Sequence, residues 1–141
     1  MNEIILTVDL ALTVNHSQVL LIKRADPPFL DKLVLPGGHL ESSDISAKAA
    51  CCREAKEEIN LDIDENELEL LAVLDSPGRD PRRGRRISIA YTIDFSAHQS
   101  VASCRASSDA RSIHFRNISS LKKEELGFDH WKVIEMLQKT K

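Results

Sequence analysis

A layered α/β fold is expected from three observations. Residues 4 to 14, IILTVDLALTV, set Ile4, Leu6, Val8, Leu10, Leu12 and Val14 on every second position, the period of a strand with one buried face. Residues 47 to 59 form a helical segment between a serine that can cap it and an asparagine that can end it. Further strand and helix patterns follow within 141 residues, enough for one core and too few for two ordinary domains. Residues 1–141 are therefore read as a single domain.

The elements follow in order. NHSQ (15–18) supplies turn formers, and VLLIKR (19–24) reads as a second strand closing a hairpin. ADPPFLDK interrupts as a loop, LVLP is a short strand, and GGHLESSDI is a glycine-led loop. Ser46 is the expected N-cap of a helix from Ala47 to Ile59, and Asn60 can take the left-handed position that ends it. ELELLAVLD (67–75) alternates again, and after the loop SPGRDPRRGR the segment RISIAYTIDF (86–95) gives a strand that should lie beside it. Residues 96–109, rich in Ser and Ala, are read as a long loop, and RSIHFRNI as a last short strand. SSLKKEEL opens with capping residues. DHWKVIEMLQK then places Trp131, Ile134 and Leu137 at helical spacing, so a C-terminal helix should cover the sheet.

Composition narrows the function. The chain is 42% hydrophobic and 29% charged with a formal net charge of −3, which gives no general attraction to nucleic acid or an anionic membrane. The N-terminal apolar run contains Asp9 and lacks a basic flank, so it is read as neither signal peptide nor membrane span, and a cytoplasmic setting is expected. Cys51, Cys52 and Cys104 are odd in number and lack metal-ligand spacing; they are expected as small apolar residues of the interior.

The chemistry concentrates in LVLPGGHLESSDISAKAACCREAKEEINL, residues 33 to 61. On a helix, Glu54, Glu57 and Glu58 stand at i, i+3 and i+4 and share one face, where like charges cost about 0.2–0.5 kcal/mol per pair. A bound divalent cation would more than offset that. Hard carboxylate oxygens with no thiol or imidazole on the same face favour Mg²⁺, with Mn²⁺ as a substitute, over zinc. Gly37 and Gly38 lack side chains, so a backbone carbonyl and a phosphate can approach the acids. The plainer reading is that REAKEE is a solvated helical face.

These residues resemble the signature of the Nudix hydrolases, G-x5-E-x7-R-E-U-x-E-E-x-G-U, with U a bulky aliphatic residue. Gly38, Arg53, Glu54, Glu57, Glu58 and Leu61 coincide with it, placing the box at about 38–61. Asp44 stands where Glu is usual, the gap from it to Arg53 is one residue longer, Asn60 replaces Gly, and Ala55 replaces the bulky aliphatic. The extra residue is assigned to the loop at 42–45. The resemblance implies an α/β/α sandwich around a central mixed sheet and hydrolysis within a pyrophosphate. It also implies a catalytic set of Arg53, Glu54, Glu57 and Glu58. In it the three glutamates and the Gly37 carbonyl hold metal, and Arg53 pairs with a carboxylate to fix it.

LIKRADPPF, SPGRDPRRGRRISIAY and LGFDHWKVIEML resemble the branch of the family that hydrolyses ADP-ribose to AMP and ribose 5-phosphate. On that reading Arg24, His39, Arg79, Arg82, Asp129 and His130 are candidate substrate-binding residues. Arg79, Arg82, Arg83, Arg85 and Arg86 would form a positive patch, or else a charged exposed turn, and Asp129 is equally an N-cap of the last helix. Two other functions stay open: a pyrophosphohydrolase that cleans the nucleoside triphosphate pool, and a non-catalytic sensor of an ADP-ribose-type ligand, since the branch includes transcription regulators. The chain ends at Lys141 and carries the acids, so an enzyme is expected before a sensor. The expected partner is a small nucleotide substrate, without nucleic acid or membrane. A homodimer is one of the expected states, because dimers are common in this branch.

Overall fold

The computed structural model describes residues 3–96, 101, 104 and 110–139. Seven strands form one mixed sheet: β1 (Ile4–Val14), β2 (Gln18–Arg24), β3 (Leu33–Val34), β4 (Gly37–His39), β5 (Glu69–Leu74), β6 (Arg85–Phe95) and β7 (Ala110–Asn117). Two helices, α1 (Ala47–Ile59) and α2 (Trp131–Lys139), cover it. Most of the loop expected at 96–109 lies outside the described residues.

The longest pairing is parallel, β1 against β6 from Ile4↔Arg85 to Val14↔Phe95. The other pairings between these strands are antiparallel, including the hairpin of β1 with β2, where Asn15 and His16 take positive φ values of 53° and 52° in the turn. Strands β5 and β6 are neighbours as expected.

The alternation in β1 was expected to mark one buried face, yet every residue from Val8 to Val14 is buried. The reason is that each face meets a helix. Val8, Leu10, Leu12 and Val14 pack with Ala50, Cys51, Ala55 and Ile59 of α1, whereas Ala11 lies on the other side with Val133, Ile134 and Leu137 of α2. On β1 itself the second face carries Asp9, Ala11 and Thr13, so the alternation records two buried faces of one strand that differ in side chain. Trp131 is only half-buried; Val133 takes the interior place that the spacing suggested for it. Cys51 is buried, with its thiol pushed up to about 12 by burial, while Cys52 and Cys104 are half-buried; all three are free thiols.

Residues 37–39 were read as loop and form strand β4 instead. Three residues, two of them glycine, carry no strand period, but β1 imposes one through Thr7↔His39, Val8↔Gly38 and Asp9↔Gly37. Strand β1 therefore pairs with β2 at Thr13–Val14 and with β4 at Thr7–Asp9, both on the same flank. The two partners diverge, and a cleft opens where they separate. Its lining includes Ile22, Arg24, Val34 and Gly37.

Candidate active site

Helix α1 is fixed at both ends by the residues expected. The Ser46 hydroxyl accepts from Ala49 N–H, and with Asn60 at φ 58° the N–H of Asn60 donates to the Lys56 carbonyl and that of Leu61 to the Ala55 carbonyl. The acid face of α1 is thereby set against β4. A Cβ at Gly38 would stand 2.5 Å from Glu54 Cδ, so only glycine leaves room for that carboxylate. Gly37 N–H donates to Glu58 Oε1 at 2.9 Å. Burial raises the pKa of Glu54, with Glu57 adding repulsion and Arg53 opposing both.

Arg53 lies at the hub of the loop before the helix. Its Nε and Nη2 grip Asp44 at 2.9 Å each, Nη2 also donates to the His39 carbonyl at 2.9 Å, and Nη1 reaches Glu54 at 3.2 Å and Glu57 at 3.1 Å. Asp44 in turn accepts from Glu41 N–H at 2.7 Å. The loop with one extra residue is thus closed by the shorter acid at 44. The bond from Arg53 holds the Asp44 carboxyl below its ordinary value and raises the pKa of Arg53.

The three glutamates do not converge in this structure. Glu54 lies beside Gly38, Glu58 turns to Gly37, and Glu57, with 58% of its side chain exposed, leans on Arg53. Among the described residues no three His, Cys, Asp or Glu side chains are gathered in a metal-holding arrangement. The donor set still suits a hard divalent cation: three carboxylates on one helix face, glycines where side chains would intrude, and no soft ligand.

The cleft has an empty volume of about 600 Å³. Of the expected substrate residues, Arg24, His39, Arg79, Arg82 and His130 line it, as does Glu58. Asp129 stands behind it. Rather than capping α2, the Asp129 carboxylate takes Arg79 in a buried pair, Nη2 to Oδ1 at 2.8 Å with side chains 5% and 8% exposed. The arginine patch is therefore not uniform. Arg79 is committed to Asp129, Arg82 is held by Asp80, and Arg85 begins β6 instead of ending the loop, with Arg86 beside it in the strand as expected.

On the far wall Phe128, at φ 51°, carries two guanidinium groups, Arg24 at 5.1 Å and Arg82 at 5.3 Å from its ring centroid. Phe29 packs on the same ring at 4.8 Å. Arg24 Nε donates to the Pro28 carbonyl at 2.6 Å, and its pKa is lowered by burial and then by the nearby charge of Arg82. Among the described residues Arg24 forms no ion pair.

The floor was not legible beforehand. Asp9 on β1 accepts from Ser88 Oγ of β6, and His130 Nε2 stands 3.4 Å from it. Leu35 N–H donates to His130 Nδ1 at 3.1 Å, which leaves Nε2 facing Asp9. Burial works to raise the pKa of Asp9, but His130, Ser88 and Arg79 together hold it below the ordinary value. A carboxylate on an apolar strand was the one available signal for this cluster. Phe128 and Asp80 also line the cleft; both stand in the quoted motifs, which assign neither of them a role.

Residues 4–137 match the family model described as NUDIX domain. A curated relative, the ADP-ribose pyrophosphatase of Methanocaldococcus jannaschii, is 38% identical over 119 residues, covering 84% of this chain and 64% of the relative. The bifunctional NMN adenylyltransferase/ADP ribose pyrophosphatase of Francisella tularensis, complexed with AMP and a Mn ion, superposes with a TM-score of 0.85 at 28% identity, covering 99% of this chain and 42% of that one. The NUDIX domain of Shewanella oneidensis NrtR complexed with ADP ribose gives 0.84 at 26% identity, covering 99% and 90%. The chain thus spans just under two thirds of the curated relative and less than half of the Francisella protein. Among the described residues no helix is long and apolar enough to cross a membrane.

Proposed function

The chain belongs to the NUDIX family, and from that premise we propose that it is a divalent-metal-dependent hydrolase of ADP-ribose, releasing AMP and ribose 5-phosphate. One observation carries this reading. A single cleft is lined by Glu58 of the acid helix, the paired glycines, and two guanidinium groups set on an aromatic ring. Such a cleft suits a substrate with a charged pyrophosphate at its centre and a larger moiety on each side.

Glu54, Glu57 and Glu58, with the Gly37 carbonyl, would hold Mg²⁺, with Mn²⁺ able to substitute. A cation held by these residues would supply charge neutralisation for the pyrophosphate and a water of lowered pKa. The chain's own part is to position. Arg53, gripping Asp44 and the His39 carbonyl, fixes the end of β4 and so holds Gly37 and Gly38 against α1. Arg24 and Arg82 grip phosphoryl oxygens across the cleft, and His130, set by Leu35 N–H and Asp9, floors it. Arg79 serves through its pair with Asp129, which ties the loop of residues 76–84 to the start of α2. We take residues 1–141 as one catalytic domain working in the cytoplasm on a free nucleotide.

The test is a panel of nucleoside diphosphate derivatives and triphosphates incubated with the purified chain and Mg²⁺. Turnover of ADP-ribose ahead of the rest supports the proposal. Release of inorganic pyrophosphate from triphosphates alone would replace it with pool cleaning, and ADP-ribose binding without turnover would replace it with sensing.

A further inference from the structure

Arg82 is not waiting empty on the cleft wall. Its Nε lies 3.0 Å from Asp80 Oδ1 and its Nη2 2.7 Å from Oδ2, while its backbone N–H donates to Oδ1 at 3.0 Å. This two-pronged grip on a carboxylate is the geometry by which a guanidinium takes a phosphate. Asp80 is deeply placed, with 4% of its side chain exposed, whereas Arg82 is 40% exposed and free to meet a ligand.

Behind Asp80 lies a second cation. Arg86 enters from β6 with 11% of its side chain exposed, and its Nη1 is 2.9 Å from His39 Nε2. Its Nε is buried and has no hydrogen-bond partner among the described residues. Asp80 Oδ2 stands 3.8 Å from that Nε, about 1 Å beyond bonding distance. A buried donor without an acceptor is costly, and a small rotation of Asp80 would satisfy it.

We infer that Asp80 is an internal anion: it occupies Arg82 in the free protein and passes to Arg86 when a phosphate takes Arg82. The inference rests on the reading of the cleft as a pyrophosphate site. In both arrangements Arg82 holds an anion and Asp80 holds a guanidinium, so the exchange leaves no buried charge uncompensated. Arg86 Nε is unsatisfied only in the free arrangement, which favours the exchange. Burial works to raise the pKa of Asp80, and Arg82 and Arg86 together keep it low, as a carboxylate shared between two cations requires. Asp80 and Arg86 are thus positioning residues, and Arg82 is the residue that touches substrate.

Binding of inorganic pyrophosphate without metal, measured by calorimetry on the full chain, tests this apart from turnover. Asp80→Asn should bind pyrophosphate about fivefold tighter than wild type, because the internal competitor is gone. Arg86→Gln should bind about fivefold weaker, yet have no effect when added to Asp80→Asn. A residue that merely braces the loop would give weaker binding in both single variants. Thermal melts identify folded variants, and Asp80→Ser carries the same expectation if Asp80→Asn does not fold. Unchanged or weaker binding by both Asp80 variants would overturn the inference, as would an equal loss from Arg86→Gln in the two backgrounds. The predicted coupling without ADP-ribose turnover would uphold the exchange and remove the proposed substrate.

Discussion

Arg53 directs its fork at Asp44 and its remaining donors at His39, Glu54 and Glu57, so one side chain sets both the loop and the acid face. Because the folded pKa of Asp44 is depressed, its contribution to stability is fully present above the unfolded value near 3.8 and is lost as pH falls through the folded value. Urea titrations should therefore show wild type more stable than Asp44→Asn by a constant margin from pH 7 to about 5, shrinking below about 4. A margin that widens on acidification would contradict the sign. The glutamates follow a different logic, since the Glu57 side chain is 58% exposed and a glutamine at 58 can still accept from Gly37 N–H through its amide oxygen. Glu57→Gln or Glu58→Gln should lower kcat by orders of magnitude with an unchanged melting temperature, and near-normal turnover in both would remove the metal platform. The charged constellation was legible because helical spacing alone puts 54, 57 and 58 on one face. The Asp9, Ser88 and His130 cluster was not, because it joins residues about 80 and 40 positions apart that only the β1 and β6 pairing and the docking of α2 bring together.

Among the elements, α1 was the most legible, since Ser46 and Asn60 mark its ends by local chemistry that needs no partner. Strand β4 was the least legible, because a neighbour and not its own residues makes it a strand. The pairing of Gly38 with Val8 turns its missing Cβ toward α1, where Glu54 fills the space. Gly38→Ala should leave the sheet folded but displace the Glu54 carboxylate. A displacement of about 1 Å in a catalytic group costs on the order of 10²-fold in turnover, and steady-state kinetics beside a circular dichroism spectrum would show that loss with a native fold. Wild-type kcat in that variant would mean that the contact of strand and helix does not set the site.

At the scale of the molecule, the split of β1 between β2 and β4 opens the cleft, and the two helices hold its walls from opposite faces of the sheet. The sequence order of strands and helices predicted the layers, whereas the cleft's place depends on a divergence of pairing that no local pattern encodes. The positive loop was readable as charge but not as structure, since Arg79, Arg82 and Arg86 each meet an acid within hydrogen-bonding or ion-pair distance. Cleavage of a pyrophosphate with a divalent cation held on the acid helix is what we propose for this cleft. It is tested most directly by incubating the purified chain with ADP-ribose and Mg²⁺, following the phosphorus products, then repeating with chelator and after restoring Mg²⁺ or Mn²⁺. AMP and ribose 5-phosphate are expected in equal amounts, with no turnover under chelator and recovery with either metal; intact ADP-ribose at saturating Mg²⁺, or turnover that survives the chelator, would overturn the proposal.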